Sequence, residues 1–170
     1  MKRIGKRVSE AELKKLLRYE PDTGDFYRLS GPDKGKKAGT DSAQYYLIGL
    51  KTDTLKGIFY AHHLAWVYMT GTWPEKEVDH KDANKKNNKW ENLRLATSSQ
   101  QKQNSLVRSQ DIKTSQYKGV FWLKTESKWV AKICVNKTRK YLGRFRREED
   151  AALAYRFAAH EHFGDFARVE

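Results

Sequence analysis

Residues 78–97 read Val78-Asp-His-Lys-Asp-Ala-Asn-Lys-Lys-Asn-Asn88, Lys89, then Trp90-Glu-Asn-Leu-Arg-Leu-Ala-Thr97. The first eleven positions carry almost nothing apolar and read as a polar loop. Apolar character returns at Trp90, Leu93 and Leu95. Inside the polar stretch stands the pair Asp79-His80. A carboxylate binds a hard divalent cation through oxygen. An imidazole titrates near neutrality and can take a proton from water. Phosphodiester hydrolysis uses both, a metal against the developing charge and a base for the attacking water. An Asp-His dipeptide alone is an ordinary surface feature, so the flanking sequence decides its meaning.

Toward the N-terminus, His62, Ala65, Trp66 and Met69 recur at i, i+3, i+4 and i+7, one apolar face of a helix, which Gly71 and then Pro74 close. Tyr46, Ile48 and Leu50 alternate as a half-buried strand, and Ile58 with Tyr60 suggests a partner across a turn near Lys56-Gly57. Residues 30–43 are a polar loop rich in Gly and Lys, and Phe26–Leu29 a short strand. Ser9 and Glu12 have capping-box spacing. Leu13, Leu16 and Leu17 continue that helix until the turn chemistry of Tyr19-Glu-Pro-Asp-Thr-Gly24 breaks it.

Toward the C-terminus, Ala96–Gln103 predicts a helix with Thr97 as N-cap, and residues 104–116 lack periodicity. Three strand-like runs follow at 117–123, 128–135 and 139–145. Residues 148–163 then predict a helix with Ala151, Ala152, Tyr155, Ala158, Ala159 and Phe163 on one stripe and an acidic start that suits its dipole. Alternation in the second run turns Trp129, Ala131, Ile133 and Val135 toward this helix, and Val130, Lys132 and Cys134 toward solvent or a ligand. Arg139 and Tyr141 share a face. Trp122, Trp129, Tyr155 and Phe157 are expected mostly in the core.

The 170 residues carry a formal charge of +13, enough length for one domain or two small ones. Residues 101–147 hold 13 basic and 2 acidic side chains, whereas 148–170 hold 2 and 6. An excess focused in this way calls for a polyanionic partner, nucleic acid first and a membrane surface a distant second. A single Cys excludes a disulfide framework and any multi-cysteine zinc site. No apolar run approaches the roughly 18 residues of a membrane span, and the basic start MKRIGKRVSE lacks the apolar stretch of a secretory signal.

Taken together with Ala61-His-His-Leu-Ala-Trp66, Gly71-Thr-Trp-Pro74 and Asn104, the quoted stretch resembles the HNH endonucleases, and among them the phage and intron-encoded homing enzymes with a ββα-metal core. The resemblance spans about residues 10–105. It implies Asp79 as a metal ligand, His80 as general base, and Asn92 as the middle Asn that pins the hairpin so that His80 is oriented. The third motif position, normally Asn or His, falls on Gln101, whose carbonyl oxygen on a longer arm could ligate a metal or could leave a weakened enzyme. Ala83 stands where Gly is common and would stiffen its turn. His62 matches a usual His with a structural, hydrogen-bonding role, and His63 stands where Arg is common, facing solvent or phosphate.

A second resemblance covers residues 115–169. Tyr117-Lys-Gly-Val120, Lys128-Trp-Val-Ala-Lys-Ile133, Tyr141-Leu-Gly-Arg-Phe145 and Glu149-Asp-Ala-Ala-Leu-Ala-Tyr155 are similar to the AP2/ERF DNA-binding domain, which enters the major groove with a three-stranded sheet. It implies Lys118, Lys132, Arg139 and Tyr141 as groove-facing positions. Lys124, Lys137, Arg144 and Arg146 would meet phosphate. Phe121, Leu123 and Cys134 replace arginines of that family, so its sequence preference does not transfer.

The expectation is an α+β protein with three parts: an HNH nuclease domain at 1–105, a linker at 106–116, and an AP2/ERF-like domain at 117–170 made of a three-stranded antiparallel sheet packed on one helix. Its expected activity is metal-dependent nicking or cutting of double-stranded DNA, with Mg²⁺ as the ion and Mn²⁺ as a substitute. The expected setting is the cytoplasm of a bacterial host, the gene being phage-borne. The alternative is a DNA-binding regulator built on an inactive nuclease core. The target site and the oligomeric state are not encoded in any spacing.

Overall fold

The structure, a computed structural model, describes residues 7–52, 55–104 and 114–167. The chain divides into two compact units, Met1–Thr97 and Ser98–Glu170.

In the first unit, Ser9 caps helix α1 (Glu10–Leu16), its Oγ accepting from the Glu12 amide at 3.2 Å. The helix is shorter than its leucine spacing predicts. Leu17 is already extended and opens strand β1 (Leu17–Glu20), because Leu17 and Tyr19 are both buried and a period of two has replaced that of the helix. The turn at 21–24 leads to β2 (Asp25–Arg28), antiparallel to β1. Strands β3 (Thr40–Asp41), β4 (Tyr46–Lys51) and β5 (Lys56–Tyr60) form a sheet in that order. Lys56 and Gly57 lie within β5 rather than in a turn. Phe59 takes the buried position at 2% exposure, whereas Ile58 is 66% exposed.

Helix α2 (Ala61–Thr70) follows β5 without a loop and ends at Gly71, whose φ of +78° suits glycine and whose N–H bonds Val67 O at 2.9 Å. It buries Ala61, His62, Leu64, Ala65 and Val67, a wider face than the expected stripe, and leaves Met69 exposed. Strands β6 (Glu77–His80) and β7 (Leu93–Ala96) make a separate hairpin. Asp79-His80 therefore stands on a strand, not in a loop. Val78 is buried and pairs with Leu95, and buried His80 pairs with Leu93, so the backbone is laddered up to His80. A continuous apolar core joins Leu13, Leu17, Phe26, Ile48, Phe59 and Leu64 to Val78 and Leu93 beneath this hairpin.

The second unit begins with α3 (Ser98–Asn104), earlier than the expected boundary at 105. Residues 106–113 of the expected linker, and residue 105 before them, lie outside the described residues. Its last part is built into the fold: Ser115, buried, donates to Glu148 Oε1 at 2.6 Å, and Thr114 Oγ1 accepts from the Trp122 amide at 2.9 Å. Strands β8 (Val120–Leu123), β9 (Lys128–Val135) and β10 (Thr138–Phe145) form an antiparallel sheet with β9 in the centre. Helix α4 (Glu148–Phe163) packs Ala151, Tyr155, Ala158 and Ala159 with Val120, Ala131 and Ile133. At Gly119 a Cβ would sit 2.4 Å from both Lys132 O and the Tyr155 ring, so the chain approaches strand and helix more closely than any other residue permits. Phe157 is 69% exposed rather than buried, since it stands two positions from Tyr155 and so off its face. Val130 shares the outer sheet face with Lys132 yet is 2% exposed, flanked in register by Phe121 and Arg144.

Candidate active site and nucleic-acid interface

The β6–β7 hairpin sets Asp79 directly across from Arg94 and His80 across from Leu93. Arg94 Nε donates to Asp79 Oδ2 at 3.1 Å, and Arg94 Nη2 stands 3.1 Å from the same oxygen. The pair is largely withdrawn from water, its side chains 13% and 12% exposed. His80 is buried, and its Nε2 lies 3.1 Å from Asn88 Oδ1. Asn88 Nδ2 in turn donates to Lys86 O at 3.1 Å, which assigns the oxygen to the side facing His80. A carbonyl oxygen only accepts, so His80 Nε2 carries the proton and the lone pair of the neutral ring is on Nδ1. Burial pushes the His80 imidazole below its usual value, against the opposing pull of Asn88, Asp82 and Asp79, and so favours the neutral, basic form.

The loop between the strands is held from inside. Asn92, buried, accepts from the Asp82 amide at 3.1 Å and donates through Nδ2 to Asp82 Oδ1 at 3.0 Å and Asn87 O at 2.8 Å. Asp82 also accepts from the Asn84 amide at 2.8 Å and Asn87 Nδ2 at 2.7 Å. Burial pushes its carboxyl up, but these hydrogen bonds outweigh it and hold the group below the usual carboxylate value. Asn88 is anchored from the β1–β2 side: Tyr19 Oη donates to Asn88 O at 2.7 Å, and Gly24, at φ +79°, lies so close that a Cβ would fall 2.4 Å from the Asn88 carbonyl carbon. Ala83 adopts φ +59°, the left-handed region, at the turn after His80.

His62 packs edge-on against His80 with ring centroids 5.0 Å apart, and Tyr45 and Tyr60 surround it at 5.4 Å. Its Nδ1 is buried without a hydrogen-bond partner, so the hydrogen-bonding role expected of it is not seen at that atom. Burial drives its pKa well down, with His63, His80 and Lys85 adding to the effect. His63 does not stand out in solvent. It is half-buried between His62, Tyr60 and Trp73, and burial lowers its pKa too.

Of the residues singled out in the sequence, Asp79, His80 and Asn92 come together in this hairpin. Gln101 stands on α3, in the second unit. Asn88, Asp82 and Arg94 carry the geometry and were given no role by sequence. The usable signals were the Asn87-Asn88 pair following the histidine and, once 77–80 and 93–96 are paired, the position of Arg94 opposite Asp79. Among the described residues, no group of three or more His, Cys, Asp and Glu side chains could hold a metal ion between them. The Asp79 carboxylate could hold a hard cation only as one of few protein ligands, and a guanidinium is already seated against it.

On the outer face of the second unit's sheet, Tyr141 pairs with Lys132, and Arg139 with Cys134. Lys132, Arg139 and Tyr141 are exposed, and the Lys132 ammonium lies 5.0 Å from the Phe121 ring centre. Lys132, Cys134 and Arg139 line a groove of about 480 Å³ with Phe121 and Gly119. Lys118 lies in the turn before β8 rather than on the strand, its Nζ 3.4 Å from Lys102 O. Lys124 and Lys137 are on the turns at the strand ends, and Arg146 is exposed beyond β10. Arg144 is paired with Glu126 at 2.6 Å.

Residues 59–103 match the family model of the HNH endonuclease, a stretch that runs from β5 through the hairpin into α3. A solved structure of DNA binding and cleavage by the HNH homing endonuclease I-HmuI is similar at 28% identity and a TM-score of 0.42, over 56% of this chain and 57% of that one. No helix among the described residues is long and apolar enough to cross a membrane.

Proposed function

We propose that this protein is a metal-dependent DNA endonuclease. The observation that carries the reading is Asp79 and His80 side by side at the end of one hairpin strand, His80 buried with its tautomer fixed by Asn88, inside a segment that matches the HNH endonuclease model. The first unit would then be a ββα-metal core, and the second an AP2/ERF-like DNA-binding domain.

In this reading His80 Nδ1 takes the proton from the attacking water, while Asn88 on Nε2 keeps the ring in the tautomer that can accept it. Asn92 holds the loop on which Asn88 stands. Asp79 would hold the divalent metal, Mg²⁺ or Mn²⁺, through its carboxylate oxygens. Bound there, the metal supplies Lewis-acid stabilisation of the phosphodiester's developing charge. Lys118, Lys132, Arg139 and Tyr141 face the duplex, and Lys124, Lys137, Arg144 and Arg146 add phosphate contacts that raise affinity without choosing sequence. A phage-borne homing role in a bacterial cytoplasm belongs to the same proposal.

The test is supercoiled plasmid with Mg²⁺, comparing wild type, His80→Ala and wild type with EDTA. Open circles from wild type alone support a nicking enzyme, and linear product a double-strand cut. No conversion with Mg²⁺ or Mn²⁺, alongside salt-sensitive duplex binding, overturns it. The second reading, a DNA-binding regulator on an inactive core, would then stand, favoured by Gln at the third motif position.

A further inference from the structure

We propose that Arg94 is the internal counter-ion of the metal site: it holds the Asp79 carboxylate aimed until the metal arrives, competes with the metal for that carboxylate, and once released binds the DNA phosphate. The inference rests on the reading of Asp79 as a metal ligand. Its observation is the cross-strand pair itself. Two nitrogens of one guanidinium stand 3.1 Å from a single carboxylate oxygen, with both side chains close to nine-tenths withdrawn from water.

Three physical steps lead there. A carboxylate this far from water needs a cation against it. Arg94, fixed opposite by the β6–β7 register, supplies that cation. Two cations cannot share one oxygen at contact distance without strong mutual repulsion, so a divalent ion on Oδ2 displaces the guanidinium. The released fork of N–H donors matches phosphate geometry, and the anion brought in by the metal is the phosphodiester. Competition of two ligands for one group is a coupling free energy, and it is reciprocal. Arg94 therefore weakens metal binding in the DNA-free protein and strengthens DNA binding once metal is present.

The experiment uses the full chain. Mn²⁺ affinity is measured by the EPR signal of free ion for wild type, Arg94→Gln, Arg94→Lys and Asp79→Asn. Arg94→Gln is expected to bind Mn²⁺ on the order of tenfold tighter without DNA; Arg94→Lys, which keeps the charge, should stay near wild type. In a His80→Ala background, where DNA is left uncut, Mg²⁺ should raise duplex affinity, and adding Arg94→Gln should remove about fivefold or more of that gain. A wild-type measurement covers a variant that fails to fold. The Arg94 Nε–H resonance, assigned by its absence in Arg94→Lys, should shift and exchange faster with water as Mg²⁺ saturates. An unmoved resonance at saturation, or Arg94→Gln binding Mn²⁺ no tighter than wild type, overturns the counter-ion role. A Mg²⁺-dependent gain in duplex affinity that survives Arg94→Gln overturns the phosphate role. Mn²⁺ binding undiminished in Asp79→Asn overturns instead the assignment of Asp79 as a ligand.

Discussion

The two units carry their polar side chains in opposite ways. In the first, the polar groups that matter are inside: His80, Asn88 and Asn92 are buried and bonded to one another or to the loop they hold, and Arg94 is paired with the Asp79 carboxylate. In the second, the basic side chains stand outside, on the open face and rim of a sheet whose other face packs on α4. A buried network fixes atoms to within a hydrogen bond, as proton transfer requires. An exposed basic face fixes nothing but raises the local concentration of a polyanion. The contrast predicts that substitutions in the first unit change rate and those in the second change affinity.

Three variants would break that division if they crossed it. His80→Ala should lower the nicking rate by about 10²–10⁴-fold with duplex affinity unchanged, read by plasmid conversion beside a binding isotherm. Equal losses in both would show that His80 serves binding. Asn92→Ala removes three hydrogen bonds and strands the groups they satisfied. It should cost about 1–3 kcal/mol in the thermal or denaturant unfolding of the first unit, and activity should fall further than DNA binding. Lys132→Ala with Arg139→Ala should leave the turnover of saturated enzyme intact. It should weaken DNA binding and flatten the log–log salt dependence by about 0.9 for each phosphate that is no longer neutralised. An unchanged slope would remove this face from the interface.

What could be read in the sequence follows the same divide. The second unit's strands and α4 were legible because alternation and the alanine stripe are local patterns that burial alone enforces. The site was legible as words but not as structure. The stretch 78–80 reads as loop on composition, since Asp79 and His80 are polar, yet it is a strand because its backbone pairs with 93–95, a partner thirteen or more residues away that no local window contains. The role of Arg94 depends on that register and was hidden with it. Leu17 failed for the converse reason: its spacing from Leu13 suits a helix, but pairing with Arg28 draws it into β1. Asn88 acts through a fold-level contact, Tyr19 and Gly24 closing on its backbone, which spacing cannot express.

Acid titration sharpens the comparison without any substitution. His62, His63 and His80 all have imidazoles pushed below the ordinary value of 6.5, by burial first. Above pH 6.5 folded and unfolded chains both hold these rings neutral, and no cost arises. As pH falls below 6.5 the unfolded chain takes up protons that the folded first unit resists, so its stability declines with falling pH. The second unit's His160 and His162 stand on the exposed or half-exposed side of α4. Monitored residue by residue by amide exchange, the first unit should lose protection between pH 6.5 and 5 while the second changes little. Parallel losses in both units would mean that the three rings do not set the acid limit.

The smallest effect is expected at Ala83, and its sign is informative. Its φ of +59° places a side-chain-bearing residue in the left-handed region, in the turn that its own amide closes by donating to His80 O at 2.9 Å. That conformation costs an L-residue about 1–2 kcal/mol, whereas glycine adopts it freely but gives up about 0.5–1 kcal/mol in the entropy of the unfolded chain. The balance favours Ala83→Gly by up to about 1.5 kcal/mol in urea unfolding of the first unit. If the strain is only a stability cost, the variant is more stable and cuts at the wild-type rate. If alanine instead stiffens the turn that follows His80, the variant is more stable and slower, because the freed turn lets the imidazole wander from Asn88. A destabilised variant would show that the alanine methyl is packed rather than strained, and that this turn belongs with the buried network it borders.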